Sequence, residues 1–485
     1  MSDSSDPAAE ATARPEPGFL ERVRNRDHTR GNLLKSLTVL ALPLLGSSLF
    51  AGVIFQLVDL KLIAGLGADA ITAVVVTNQS LRQIFFMMIM GGSFGAQALI
   101  ARAIGMGNRE AADHIAGQVM LLGGLLSVGV ALLGILFPGE MLSLMKVSDR
   151  VLEIGTPYVR LVFVLHFGFV FVFLTNAVLN GAGDTTTPFM ITILQAFIGL
   201  FAEWVLIYGK FGAPALGVKG VALGLACGQT VSILLLMRVV TSGASRIHLR
   251  RRHMRPDWRV LKQILTLAWP PALQMIGGFL VTVIFIRVMG GFGDKAQAAY
   301  SIGLRLAMVG PMLGLPIASA CATLVGQNLG ARNVRRAWRS VWVGLAVHGS
   351  LMLSIAAGLF FFRVPLLGAF TEDPEVIAIG SEMLAYQAAS LTMMSVYLVV
   401  FRTLQGAGDV IFPMAISLAN SLLLTLPLGL YLAHTRELGP SGVFIAGLAG
   451  AITITLVSSV WMSTGRWTHK RTWEALRTDD GATDA

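Results

Sequence analysis

Asn180-Gly181-Ala182-Gly183-Asp184-Thr185-Thr186-Thr187-Pro188-Phe189-Met190 and Gln405-Gly406-Ala407-Gly408-Asp409-Val410-Ile411-Phe412-Pro413-Met414-Ala415 are two versions of one turn. Each is a polar Gly/Asp/Pro stretch pressed between long apolar segments. Moving outward from the two copies, other stretches match at nearly the same offset. Ala41-Leu42-Pro43 aligns with Ala268-Trp269-Pro270, and Gly65-Leu66-Gly67 with Gly291-Phe292-Gly293. Ile100-Ala101-Arg102-Ala103-Ile104-Gly105-Met106-Gly107-Asn108 aligns with Val325-Gly326-Gln327-Asn328-Leu329-Gly330-Ala331-Arg332-Asn333. Leu216-Gly217-Val218-Lys219-Gly220-Val221 aligns with Leu438-Gly439-Pro440-Ser441-Gly442-Val443. The offset stays near 225 residues throughout, so the chain is a repeat of a whole half.

Composition says where such a chain lives. Hydrophobic residues make up 54% and charged residues 13%, and the mean hydropathy is +0.70. Soluble domains carry about 25% charged residues. Apolar stretches long enough to cross a bilayer core of about 30 Å recur along the whole length. The period-2 pattern of a membrane barrel is absent, so the spans are helices. They run roughly over 38–64, 69–98, 113–137, 150–180, 187–209, 217–242, 262–289, 294–327, 335–364, 374–405, 412–434 and 440–464. The expected fold is an all-α membrane protein with twelve transmembrane helices in two pseudo-symmetric six-helix bundles. The expected divisions are a cytoplasmic N-terminal tail over 1–36, a six-helix lobe over 37–240, a basic cytoplasmic linker over 241–261, a second lobe over 262–464 and a cytoplasmic tail over 465–485.

The formal net charge of +10 would raise nucleic-acid binding in a soluble protein. Here the placement of the cations sets topology instead, and no nucleic-acid partner is expected. Arg22, Arg24, Arg26, Arg30 and Lys35 lie in the first tail. Arg246, Arg250, Arg251, Arg252, Arg255, Arg259 and Lys262 lie in or beside the linker. Arg332, Arg335, Arg336 and Arg339 follow the eighth span, and Arg466, Lys470 and Arg471 follow the last. An even span count puts all of these on one side, which the positive-inside rule makes the cytoplasm. Alternate loops carry acids: Glu140, Asp149 and Glu153 in one half, Glu372, Asp373 and Glu375 in the other. Both termini are therefore expected inside, with no cleavable signal peptide. Six spans per half make the two halves enter from the same side, so their symmetry axis runs along the membrane normal. The two cysteines, Cys227 and Cys321, lie in apolar helices and suggest no disulfide framework.

A charged group in hydrocarbon is costly, so each one is a candidate for function. Two acids lie well inside spans, Asp59 and Glu203. Asp59 is six residues before Gly65 and Glu203 six before Gly209. At 1.5 Å per residue each lies about 9 Å below the outer boundary, a shared depth that allows a shared site. A carboxyl in a low-dielectric cavity favours its neutral form, and two neighbouring carboxyls titrate as a pair. Such a pair holds a proton or binds one small cation. A static ion pair of Asp59 with Lys61 is the competing account, but residues two apart face different sides of a helix. Lys61, Arg287 and Arg402 are expected to snorkel to the headgroups, and Arg160 and Arg305 to need carbonyl or acid partners. Gln56, Gln79, Gln274 and Gln387 are cavity candidates, though such residues also serve as glue between helices. His166 and His348 are isolated, no phosphate-binding Gly-x-x-x-x-Gly-Lys loop is present, and no catalytic constellation stands out. A membrane-embedded enzyme would need paired His, Asp or Glu motifs at a membrane face, and none is found.

Taken together, the Gly181–Pro188 turn, its fainter second copy, the Val325–Ala331 stretch and Leu57-Val58-Asp59 resemble the multidrug and toxic compound extrusion family. The resemblance runs from about Leu37 to Trp461. It implies a secondary exporter of organic, often cationic, compounds in exchange for protons or sodium ions, working by alternating access. It also implies that an acid of the first span and one of the fifth form a cation site, and Asp59 and Glu203 fall on those positions. Gly199 stands where many members have Asn, which favours protons over sodium. Phe285 aligns with Asp59, Ser390 replaces an acid of the NorM-like branch, and Gly277 and Gly278 occupy the region of another. The acid-poor second half places the chain nearer the DinF-like branch. The resemblance makes the expected partners small organic substrates and the lipid bilayer. The protein is expected as a monomer in a bacterial inner membrane, with no cofactor. A flippase for lipid-linked oligosaccharides is the runner-up, and its cavity would be cationic.

Overall fold

The computed structural model describes residues 26–469, and all regular structure within them is helical. Eleven of the described helices are long and apolar enough to cross a membrane, and a bent pair counted as one span makes twelve. In chain order they are α1 (Leu33–Ala64), α2 (Asp69–Gly105), α3 (Arg109–Leu136), α4 (Asp149–Val164 and His166–Ala182, bent by 42°), α5 (Thr186–Tyr208) and α6 (Val218–Ser242). The second half supplies α7 (Trp258–Gly290), α8 (Asp294–Gly330), α9 (Val334–Phe361), α10 (Pro374–Gly406), α11 (Ile411–Thr435) and α12 (Pro440–Ser463). The expected tails over 1–36 and 465–485 lie largely outside the described residues.

The helix ends repeat as faithfully as the spans. Asn32 and Asp257 cap α1 and α7, Asn108 and Asn333 cap α3 and α9, and Ser148 and Asp373 cap α4 and α10. Each side chain accepts a backbone N–H that the first turn leaves without a helical partner. The turn after α4 and its copy after α10 share one geometry. The Asp184 N–H donates to the Leu179 carbonyl at 2.9 Å, and the Asp409 N–H to the Leu404 carbonyl at 2.8 Å. Between each donor and acceptor sits a glycine in the left-handed region, Gly183 at φ 93° and Gly408 at φ 84°. A side chain there would meet its own carbonyl, which is why both copies carry glycine. The two aspartates then differ. Asp184 accepts from the Thr187 N–H at 3.0 Å and its hydroxyl at 2.8 Å, while Asp409 accepts from the Trp461 indole at 2.9 Å.

Packing ties the halves together at the end that carries the basic loops, called here the basic face. Leu37, Leu40 and Ala41 of α1 pack in one cluster with Ile317, Val325 and Val341 of α8 and α9. Val260, Ile264 and Leu267 of α7 pack with the core of α2, α3 and α4. Each half thus lends the start of its first helix to the other. Between them α2 and α8 meet backbone to backbone. A Cβ on Gly105 would overlap the Gln327 carbonyl, and one on Gly330 would overlap the Arg102 carbonyl. These are the same contact related by the repeat, so the basic face is closed by a pseudo-two-fold glycine seam. Small residues permit this approach, as they do between membrane helices generally.

The linker is held down on α3. The Gln118 amide donates to the His253 and Arg255 carbonyls at 2.9 and 2.7 Å, and Glu110 pairs with Arg252 at 2.7 Å. The segment before α1 crosses beneath both halves. The Arg336 guanidinium donates to the Gly31 and Arg30 carbonyls, each at 2.9 Å, and Arg246 donates to the Arg26 carbonyl. His28 is fully buried there against Gly183, and neither ring nitrogen meets a partner of good geometry. Burial, helped by the nearby Arg246 and Arg26 charges, lowers the His28 pKa to about 4 from 6.5. The detached segment therefore binds a proton more tightly than the docked one. Docking holds full strength above pH 6.5 and weakens as pH falls from 6.5 toward 4. The protection factors of the amides at residues 27–31, measured against their intrinsic exchange rates, should fall over that window, and His28→Phe should remove that fall.

Candidate functional site

Asp59 and Glu203 meet across α1 and α5. Glu203 is fully buried, although the exposed Lys210 follows only seven residues later. The close approach of α6 keeps it dry, since a Cβ on Gly224 would strike the Glu203 backbone and Cβ. Asp59 is partly buried and follows the π-helical turn Phe50–Ile54 in α1. The two carboxyl groups are within hydrogen-bonding reach of each other. Neither oxygen of Glu203 and not Oδ1 of Asp59 receives an N–H or O–H from any other described residue. Two carboxyls in such contact need a proton between them, because two facing carboxylate oxygens are both acceptors. Among the described residues no cation forms an ion pair with either acid, and Lys61 is exposed.

A polar group that sequence reasoning missed lies beside this pair. The buried Tyr158 hydroxyl is near enough to feel the charge of both acids. It accepts from the Asn78 amide at 3.2 Å, and the Asn78 carbonyl accepts from Arg82 at 2.8 Å. Arg82 also lies over the Phe169 ring at 5.6 Å. The signal available was Arg82, an arginine inside a span. Asn78 and Tyr158 lie on two separate helices, and only folding joins them. In the second half Phe285 fills the place of Asp59, buried against Gly429.

Two cavities fall in the size range of small-molecule sites. One of about 400 Å³ lies between the halves, lined by Ser47 and Gly52 of α1, Phe94 and Gln97 of α2, Asn176 of α4 and Met312 of α8. The other, about 420 Å³, lies within the second half and is lined by neutral polar groups, among them Gln274, Gln387, Ser390, Asn420 and Thr425. Of the four glutamine candidates, Gln274 and Gln387 thus line a cavity. Gln56 and Gln79 are exposed and line neither.

Arg402 corrects a sequence expectation. It does not snorkel to the surface: it is 3% exposed, sealed between the halves. Its guanidinium stacks on the Phe94 ring with 3.6 Å from carbon to centroid. One terminal nitrogen donates to the Gln97 amide oxygen at 2.7 Å and the other to the Gln405 oxygen at 2.8 Å. Gln405 in turn donates to Gln274 at 3.3 Å. Gln97 donates to the Thr323 hydroxyl at 2.9 Å. Aromatic stacking and one amide oxygen from the facing helix, with a second amide oxygen from its own, hold the charge between the helices. Arg160 and Arg305 reverse the other expectation, being exposed and without an ion pair or side-chain hydrogen bond among the described residues.

Known proteins resemble this arrangement. A family model described as MatE matches residues 44–205 and again 270–431, so the duplication is visible in the match itself. A probable multidrug resistance protein NorM of Thermotoga maritima is 26% identical over 89% of this chain and 93% of its own. A probable multidrug resistance protein YoeA of Bacillus subtilis is 26% identical over 90% of this chain and 95% of its own. A FAD transporter of Shewanella oneidensis is 25% identical over 84% and 88%. Among solved structures, an outward-facing multidrug resistance MATE family transporter superposes with a TM-score of 0.83, at 20% identity, over 91% of this chain and 98% of that one. A MATE structure in a bent conformation gives 0.84 over 96% and 100%.

Proposed function

Since the chain belongs to the MatE family of multidrug efflux transporters, we propose that it drives export by proton antiport, with Asp59 and Glu203 carrying the proton. The observation that carries this reading is the contact itself: two carboxyls facing each other between helices, with no other donor to Glu203 or to Asp59 Oδ1 and no ion-paired cation among the described residues. A pair that must share a proton when dry, and can lose it when wet, is a proton carrier. Gly199 offers no side-chain oxygen near Glu203 to complete a sodium shell, which favours protons over sodium ions. The second half supplies no acid at the equivalent place, so one site serves the molecule, as in the DinF-like branch.

The cycle follows from these groups. With the basic face open to the cytoplasm and the pair ionised, an organic cationic amphiphile enters between the halves. The halves rock and the basic face closes, the state in which the glycine seam lies. A proton arriving from outside neutralises the pair, the cation loses its counter-charge and leaves, and the loaded protein resets. On this reading the basic face and both termini lie on the cytoplasmic side of a bacterial inner membrane, and the protein acts as a monomer.

The test is transport in proteoliposomes with proton and sodium gradients imposed independently and a panel of organic cations. A proton gradient should drive export with no sodium present. If a sodium gradient at clamped pH drives export and a proton gradient does not, the proton assignment fails.

A further inference from the structure

We propose that Arg402 is an anion-recognition group, so that the exported compounds include zwitterionic amphiphiles whose carboxylate or phosphate it takes when the basic face opens. This rests on the alternating-access reading above and names the substrate class it implies.

The argument begins with the cost of the residue. A guanidinium is always charged, and an uncompensated charge deep between membrane helices is expensive. Among the described residues no carboxylate pairs with Arg402. Its neighbours are neutral stand-ins: two glutamine oxygens and one ring face. Nε is buried and has no hydrogen-bond partner among the described residues. The charge is therefore accommodated and not neutralised, which is the condition of a site that gains when an anion arrives.

The geometry says when that happens. Phe94 and Gln97 belong to α2 of the first half, while Arg402 and Gln405 belong to α10 of the second. Gln97 and Phe94 also line the cavity between the halves. Parting the halves at the basic face pulls the ring and one glutamine oxygen away from the guanidinium. The exposed fork then faces that cavity with one nitrogen still held by Gln405 and the rest free. It is suited to a bidentate contact with a carboxylate or phosphate. Closing returns Phe94 and Gln97 to the cation, and they displace the anion. The same movement that seals the basic face thus expels the ligand's negative end. The acid pair, on α1 and α5, acts separately on its positive end. Gln274, at the far end of the same hydrogen-bonded chain, carries the arrangement to the second cavity.

The test uses two dyes that differ by one methyl ester, rhodamine 110 with a free carboxyl and rhodamine 123 without. Transport of both into inside-out proteoliposomes is measured under the same imposed proton gradient, alongside equilibrium binding by fluorescence polarisation with no gradient. For the wild-type protein the free acid should show a KM at least about tenfold below the ester's. Arg402→Gln should raise the KM for the acid to that of the ester and leave the ester's KM unchanged, whereas Arg402→Lys, which keeps the charge but not the fork, should keep part of the preference. A wild-type protein that shows no preference, or an Arg402→Gln protein that slows both dyes equally, overturns the proposal, the latter assigning Arg402 to packing alone. Should Arg402→Gln fail to fold, the wild-type ratio and Arg402→Lys decide. The polarisation arm separates this proposal from proton coupling. A dye preference that persists in binding while no gradient drives transport would fell the coupling reading and leave this one standing.

Discussion

Replacing Asp59 with asparagine is expected to abolish gradient-driven export while leaving the protein folded. A proton drives transport only as far as it binds the two conformations unequally. Coupling free energies of 1–3 kcal/mol correspond to roughly 5- to 150-fold effects. Removing one ionisable member of the pair removes that difference, so export under an imposed pH gradient should fall at least about tenfold, to the level seen with the gradient collapsed. Asparagine is close in size to aspartate, and its amide can donate to Glu203, so the contact between α1 and α5 persists. The companion Glu203→Gln should show the same loss, and the response of Trp204 fluorescence to pH should change from a two-step to a one-step titration. Wild-type rates of pH-driven export by Asp59→Asn would falsify the mechanism.

The second large effect is expected at the glycine seam. Gly330→Val places a branched side chain where the Arg102 carbonyl already sits. No flexible side chain lies there to move aside, so the backbones of α2 and α8 must separate. Overpacking of this kind costs about 1–3 kcal/mol, which falls on the closed state of the basic face alone. The population should shift toward the open state, and transport should fall on the order of tenfold, since 1.4 kcal/mol is a factor of ten. In a protein lacking Cys227 and Cys321, a cysteine at the fully buried Ala101 should become reactive to a water-soluble maleimide applied at the basic face. Gly105→Val should reproduce the phenotype, because the repeat makes its contact with Gln327 the same contact. If the Gly330→Val protein keeps wild-type labelling and transport, the seam is not the gate.

Much of the fold was legible because membrane helices announce themselves by length and apolarity, and because the repeat supplied an internal alignment. The sequence places the first span over 38–64, and α1 runs Leu33–Ala64. The bend in α4 was not legible. It falls between Val164 and His166, while the nearest proline, Pro157, lies two turns earlier inside unbroken helix. The shared depth of Asp59 and Glu203 could be counted from the glycines that end their helices, since helical rise is fixed. Asn78 and Tyr158 could not be found that way, because nothing local marks residues that meet only through packing. Arg402 misled for a related reason. Its position near a span end suggested snorkelling, but its partner Gln97 lies 305 residues earlier in the chain.

The exchange of helix starts between the halves has a consequence for biogenesis. Leu37, Leu40 and Ala41 find their neighbours on α8 and α9, which the ribosome makes far later. Until then the start of α1 has only lipid and the first half's own helices to lean on. Long-range closure of this kind delays the last step of folding. A first half synthesised alone should insert six helices yet leave one end of α1 without its cover. Ancestral duplication therefore produced two halves that have since become each other's missing part.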